Sequence, residues 1–130
     1  MIADREKRPR QTCPETGNIY EGEWVGDKKE GFGQQTWIKD GAIYEGQWHN
    51  DQPHGIGMYL KANGDIIQGE WLNGKAHGIA TYTQKGRVEG KPGNEYTGQW
   101  IEGKKHGKGV ETWPDGAKFE GYYKDDKKHG

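Results

Sequence analysis

The chain has 130 residues, of which 29% are hydrophobic, 30% are charged and 23 are glycine, so there is too little apolar mass for a thick globular core. Lys+Arg 19 against Asp+Glu 20 leaves a net charge of -1, which excludes the self-repulsion that accompanies disorder and any global pull toward nucleic acid or an anionic bilayer. A single cysteine excludes an intramolecular disulfide framework and a multi-thiolate metal site.

In chain order, residues 1–16 ("MIADREKRPRQTCPET") are polar and mixed in charge, and they read as a solvated, partly ordered N-terminal arm. This segment has no apolar stretch of the secretory kind, and nowhere do the roughly 18 apolar residues of a membrane span run together. With one thiol, that composition predicts a cytoplasmic chain.

From Gly17 onward one block recurs: "GNIYEGEW" at 17, "GAIYEGQW" at 41, "GDIIQGEW" at 64, "GNEYTGQW" at 93 and "GAKFEGYY" at 116. Each of the first four continues through a polar turn into a second segment, "GFG" at 31, "GIG" at 55, "GIA" at 78 and "GKG" at 107. The organisation predicted is a repeat array over residues 17–130, with the fifth copy partial. Extra residues between Gln84 and Gly93 read as a loop in the third copy. That copy also has Ile67 in place of Tyr and Ala80 in place of Gly, which marks it as the expected site of local irregularity. The fifth copy ends at "KKHG", before its second strand can form, so an exposed edge or a longer array is expected there.

Within a copy the apolar period is two, which predicts β-hairpins. Tyr20, Gly22 and Trp24 fall on one face of a strand, with Glu21 and Glu23 on the other. "VGDKKE" turns the chain into a strand where Gly31, Gly33 and Gln35 alternate with Phe32, Gln34 and Thr36. Glycine weakens a strand and aromatics strengthen one. Both are wanted together if the rings of one strand lie over a floor of backbone without Cβ, with Gly22, Gly31 and Gly33 as floor. A Gly costs up to about 1 kcal/mol in strand propensity, while burying most of a Tyr or Trp stabilises by roughly 2–3 kcal/mol. A lone hairpin would not be stable, so the units must stack.

These blocks resemble the MORN (membrane occupation and recognition nexus) repeat family, whose unit has the form G-x-x-Y-x-G-x-W-x-x-G-K-x-H-G-x-G. The resemblance covers residues 17–130. It implies an all-β fold, an elongated single-layer twisted antiparallel sheet of repeated hairpins with a shallow concave groove. Two strands per repeat advance about 10 Å, giving a rod of roughly 45 Å.

No catalytic residues, cofactor or metal ligands are predicted. His54, His77, His106 and His129 recur in register, but equivalent positions stand about 10 Å apart, too far for one zinc. "GEWLNGK" and "GQWIEGK" match the front of a phosphate loop yet are followed by Ala76 and Lys105 and by strand, not helix. Serine is absent from the chain, and Cys13 has no histidine near it in sequence. Glu21, Glu23, Glu45, Glu70 and Glu120 read as an ordinary solvated sheet face.

The remaining candidate is surface. Tyr20, Trp24, Tyr44, Trp48, Trp71, Tyr96, Trp100 and Phe119 share one face and suit an amphipathic helix or an extended peptide. The expected function is a noncatalytic scaffold binding such a protein segment, with homo-oligomers through open sheet edges as a further expectation. The family resemblance, which includes cytoskeletal, ciliary and membrane-junction scaffolds, implies a cytoskeletal or membrane association. The alternative is a phospholipid-binding module using Lys28, Lys29, Lys75, Lys104, Lys105, Lys127 and Lys128 as a basic edge. Neighbouring Asp27, Glu30, Glu102, Asp125 and Asp126 oppose it. The resemblance also allows a third reading, the targeting part of a larger enzyme.

Overall fold

The computed structural model describes residues 5–86 and 92–128. These form one open eleven-stranded antiparallel sheet in which the spatial order of strands is the chain order. The strands are β1 (Glu6–Thr12), β2 (Ile19–Val25), β3 (Lys28–Trp37), β4 (Ala42–His49), β5 (Gln52–Leu60), β6 (Ile66–Leu72), β7 (Lys75–Lys85), β8 (Pro92–Ile101), β9 (Lys104–Thr112), β10 (Lys118–Lys124) and β11 (Lys127–Lys128). Among the described residues there is no helix and no second layer. Strands β2–β3, β4–β5, β6–β7, β8–β9 and β10–β11 are hairpins one to five, and the fold is the predicted single-layer sheet.

The hairpin turns are tighter than "VGDKKE" suggested, because β2 runs to Val25 and β3 starts at Lys28, leaving Gly26 and Asp27 alone between them. The second hairpin turns at Asn50 and Asp51 with φ of 49° and 68°. Two consecutive left-handed residues make the type I′ geometry whose twist suits a hairpin, and Asn, Asp and Gly tolerate it best.

Three stretches depart from the regular hairpin. Within the polar arm, Glu6–Thr12 forms β1 and pairs antiparallel with β2. Its apolar alternation is absent, and what holds it is the backbone ladder together with Arg8, whose guanidinium lies over the Trp24 ring at 5.3 Å and donates to the Gly26 carbonyl at 3.0 Å. In hairpin five a second strand does form, against expectation: Lys127 and Lys128, the last described residues, already pair with Lys124 and Tyr123 of β10. The insertion between hairpins three and four falls mainly on 87–91, outside the described residues.

Inside the third hairpin the pairing is that of the others, but its second strand meets β8 with a register shift between Thr83 and Lys85 that β3–β4 and β5–β6 lack, so the irregularity expected of this copy lies beside the insertion. Within the hairpin the register shifts between Gly69 and Trp71, as hairpin one shifts between Gly22 and Trp24, and hairpin two between Gly46 and Trp48. The two departures in this copy compensate each other. Where Tyr20 or Tyr44 reaches over a glycine, Ile67 is too short to reach, so a methyl group fits at Ala80.

Candidate functional site

One face of the sheet carries a layer of rings lying flat on backbone. A side-chain carbon built at Gly33 or Gly57 would run into the phenol of Tyr20 or Tyr44. Across the ladder Gly22 faces Gly33 and Gly46 faces Gly57, so glycine pairs form the floor beneath each tyrosine. The hydroxyls then reach past the glycine to the backbone: Tyr20 donates to Glu23 O at 2.9 Å, Tyr44 to Gln47 O at 3.0 Å and Tyr96 to Gln99 O at 2.9 Å. Burial, and then the nearby Glu23, push the Tyr20 hydroxyl up to about 12, and burial likewise raises Tyr96 to about 12 and Tyr44 further.

Tryptophans stand edge-on between the tyrosines. Tyr20 meets Trp24 at 5.1 Å and Trp48 at 5.3 Å, and Tyr44 meets Trp48 at 5.3 Å and Trp71 at 5.4 Å, all nearly perpendicular. Such contacts add roughly 0.5–1.5 kcal/mol each beyond the area buried. Each indole also reaches back to the preceding hairpin: Trp48 donates to Gly33 O at 2.9 Å, Trp71 to Gly57 O at 2.9 Å and Trp100 to Ala80 O at 3.0 Å. Trp24 has no preceding hairpin, and its indole nitrogen is buried without an acceptor among the described residues.

The sequence reading of two residue classes needs correction. Gly31 is not floor: it takes φ 85° where the ladder bulges, and its neighbour Phe32 donates its backbone N–H to the Glu23 carboxylate at 2.7 Å. The same bond recurs from Ile56 to Gln47 at 2.7 Å, Ile79 to Glu70 at 2.8 Å and Lys108 to Gln99 at 3.1 Å. Glu23 and Glu70 are therefore structural acceptors that replace a lost ladder bond, not merely a solvated face. The signal was present in the sequence, since this position is Glu or Gln in every one of the four full copies.

All eight predicted ring residues lie on this face. Tyr20, Tyr44, Trp48, Trp71, Tyr96 and Trp100 are buried, Tyr44 completely at 0% exposure, while Trp24 and Phe119 are half-buried. The outer surface of the layer belongs to half-buried rings that sequence reasoning passed over, Trp37, Tyr59 and Tyr82, together with Trp24 and Phe119. Alternation from Gly33 through Gln35 to Trp37 would have placed the first of these. Trp37, Tyr44, Pro53, Tyr59, Ile67 and Trp71 line a mainly apolar hollow of about 390 Å³, with Lys75 and Ala76 also on its wall.

The predicted basic edge divides in two. Lys28, Lys75, Lys104 and Lys127 are exposed and flank the hairpin turns. Lys29, Lys105 and Lys128 are one residue further on, and the pleat sends them to the ring face. Lys29 Nζ lies 5.2 Å from the Tyr20 ring centre and 5.3 Å from that of Trp48, and it donates to Gln35 Oε1 at 2.5 Å. Lys105 stands over Tyr96 at 4.9 Å, and Lys128 over Phe119 at 4.7 Å. Burial holds the Lys29 ammonium below its ordinary range. Asp51 closes against this region, accepting from Lys29 N at 2.8 Å while its own N–H donates to Lys29 O at 3.2 Å.

The histidines stand at the turn edge, His49 and His54 with ring centres 5.3 Å apart, and Glu102 N donating to His77 Nδ1 at 3.3 Å. His129 lies outside the described residues. No group of three or more potential metal ligands occurs among the described residues. No helix among them is long and apolar enough to cross a membrane.

A sheet of stacked hairpins, three of them roofed by Tyr20, Tyr44 and Tyr96 and three tied backwards by Trp48, Trp71 and Trp100, defines a β-repeat protein. The model of the MORN repeat matches residues 20–41, 44–66, 68–85, 96–118 and 119–130, and the chain belongs to that family. No curated protein matches the chain. MORN repeats are generally noncatalytic modules for interaction or membrane association.

Proposed function

We propose that the ring face is a noncatalytic docking surface for a protein segment, an amphipathic helix or an extended peptide. The observation that carries this reading is the hollow bounded by Trp37, Tyr44, Tyr59 and Trp71 on a face that no second layer covers. Apolar aromatic hollows with a polar surround are the usual anchor points of peptide recognition. Because Tyr44 and Trp71 also hold the sheet together, the contacts to a partner fall to the half-buried Trp37 and Tyr59 at its rim. A cytoplasmic scaffold attached to cytoskeleton or membrane through its partner is consistent with this role.

The phospholipid reading rests on Lys28, Lys75, Lys104 and Lys127 at one edge. It is weakened by the acidic groups among the same turns, and Lys28 is already within 3.8 Å of the Asp51 carboxylate. A paired experiment separates the two. Peptides selected from a random display library on the wild-type chain, and phosphatidylserine vesicles, are each titrated into wild type, Trp37→Ala with Tyr59→Ala, and Lys75→Glu with Lys104→Glu. Loss of peptide binding in the ring variant alone is the expected result. Vesicle binding that disappears on charge reversal, with no peptide selected at all, would sink the docking reading.

A further inference from the structure

Among the described residues, most ring clusters on this face have a cation of the chain over them. Arg8 covers Trp24, Lys29 covers Tyr20 and Trp48, Lys61 and Lys105 cover Tyr82, Lys105 also covers Tyr96 and Tyr123, and Lys128 covers Trp113 and Phe119. Of the remaining rings, Trp100 stacks against Tyr82 with their planes 14° apart. Trp37, Tyr44, Tyr59 and Trp71 have no such cation among the described residues, and these four line the hollow.

The register explains why. Trp24 faces Lys29 across its hairpin, Trp100 faces Lys105 and Tyr123 faces Lys128, but Trp48 faces Pro53 and Trp71 faces Ala76. Lysine therefore fills the space above the rings in hairpins one, four and five. At Pro53 and Ala76 that side chain is cut away, and the hollow occupies the space beside Tyr44 and Trp71 that Lys29 fills beside Tyr20 and Trp48.

We infer that the hollow receives a basic side chain, the ammonium of a lysine or the guanidinium of an arginine, presented by the protein segment that docks on this face. The inference rests on the docking reading and adds the chemistry of its anchor. The chain's own Lys29 shows that an ammonium is accommodated between a Tyr face and the next Trp at 5.2 and 5.3 Å. Ring quadrupoles supply the attraction, which strengthens where water is excluded. Burial, and then the negative field of Asp40, hold the Tyr59 hydroxyl above its ordinary range. Lys75 on the wall opposes a second cation. It is exposed, so its ammonium is free to turn into water.

The test uses the whole chain and blocked peptides Gly-Gly-X-Gly-Gly with X as lysine, its neutral isostere norleucine, or glutamate, and separately phosphatidylcholine vesicles. The indole N–H resonances of Trp37 and Trp71 report on the hollow. The lysine peptide is expected to shift both saturably, with norleucine and glutamate at least about tenfold weaker. Pro53→Lys, which copies Lys29 into the hollow, should abolish the response while the chain stays folded, and Lys75→Glu should tighten it several-fold.

Norleucine binding as well as lysine, vesicles shifting the indoles where lysine does not, or an unchanged response in the Pro53→Lys chain would each overturn the inference. If Pro53→Lys prevents folding, Ala76→Lys and the sign of the Lys75→Glu effect decide it, and weaker lysine binding by Lys75→Glu counts against it. A display-selected segment that still needs Trp37 and Tyr59 but binds Pro53→Lys normally removes this inference and leaves the docking function standing.

Discussion

Hairpins one and four differ from hairpins two and three at three positions that change together. The outer pair have Lys29 with Gln35 and Lys105 with Glu111, each closed by an aspartate of the following turn, Asp51 or Asp126. The inner pair have Pro53 with Tyr59 and Ala76 with Tyr82, each followed by a glycine, Gly74 or Gly103. A lysine needs acceptors for its ammonium and its backbone N–H, which Gln35 and Asp51 supply in hairpin one. Pro53 has no N–H, so Gly74 need only donate to its carbonyl, at 2.9 Å. The difference teaches that these positions of a repeat are coupled through their hydrogen bonds and are not independent of one another.

The inner hairpins add phenols where the outer ones have Gln35 and Glu111, so alkali is the strongest way to probe the contrast. Tyr20, Tyr44, Tyr82, Tyr96 and Tyr123 all have hydroxyls raised above 10.0 in the folded chain, chiefly by burial. The folded state therefore holds protons that the unfolded state releases. The stability they contribute is complete below pH 10.0 and is lost as pH rises through about 12, the folded value for Tyr20 and Tyr96. Lys29 acts with the opposite sign over its own range below 10.5, but it is one group against six, because the Tyr59 hydroxyl is raised as well. Urea midpoints should stay level near neutrality and fall steeply above pH 10.0, in step with tyrosinate absorbance. Tyr82→Phe should move that fall to higher pH.

Next in size is the tyrosine floor. Gly57→Ala drives a methyl into the Tyr44 phenol and should cost about 2–4 kcal/mol by chemical denaturation. Adding Tyr44→Ile copies the Ile67 and Ala80 pairing of hairpin three and should recover part of that loss in a double-mutant cycle. Strictly additive energies would break the idea of linked exchange.

A smaller effect is expected at the turns. Asp51→Ala removes the side-chain acceptor for Lys29 N and should cost about 1–2 kcal/mol. Gly74→Asp has no proline N–H to accept from and takes a strained φ of 86°, so it should destabilise alone and recover when Pro53→Lys is added. The smallest change is Lys29→Met, expected within about 1 kcal/mol at neutral pH because lost cation–π attraction offsets relieved desolvation.

The hairpin plan was legible because period-two rings, polar turns and copy number all agree. The floor of Gly22 and Gly33 was legible from steric reasoning alone. Gly31 and Glu23 were misread because a bulge depends on register between strands, which one strand's alternation does not carry. Lys28 and Lys29 were grouped by charge although adjacent residues of a strand must face opposite sides. β1 had no apolar pattern to announce it, since backbone pairing and Arg8 hold it.

The backward reach of the indoles has a direction in time. Trp48, Trp71 and Trp100 each seek a carbonyl belonging to the hairpin made before their own. During synthesis from the N-terminus, that carbonyl emerges ahead of the tryptophan that will use it. Each indole thus closes onto chain already made, while Lys29 and Lys105 await aspartates still to come, so the array is tied together in both directions.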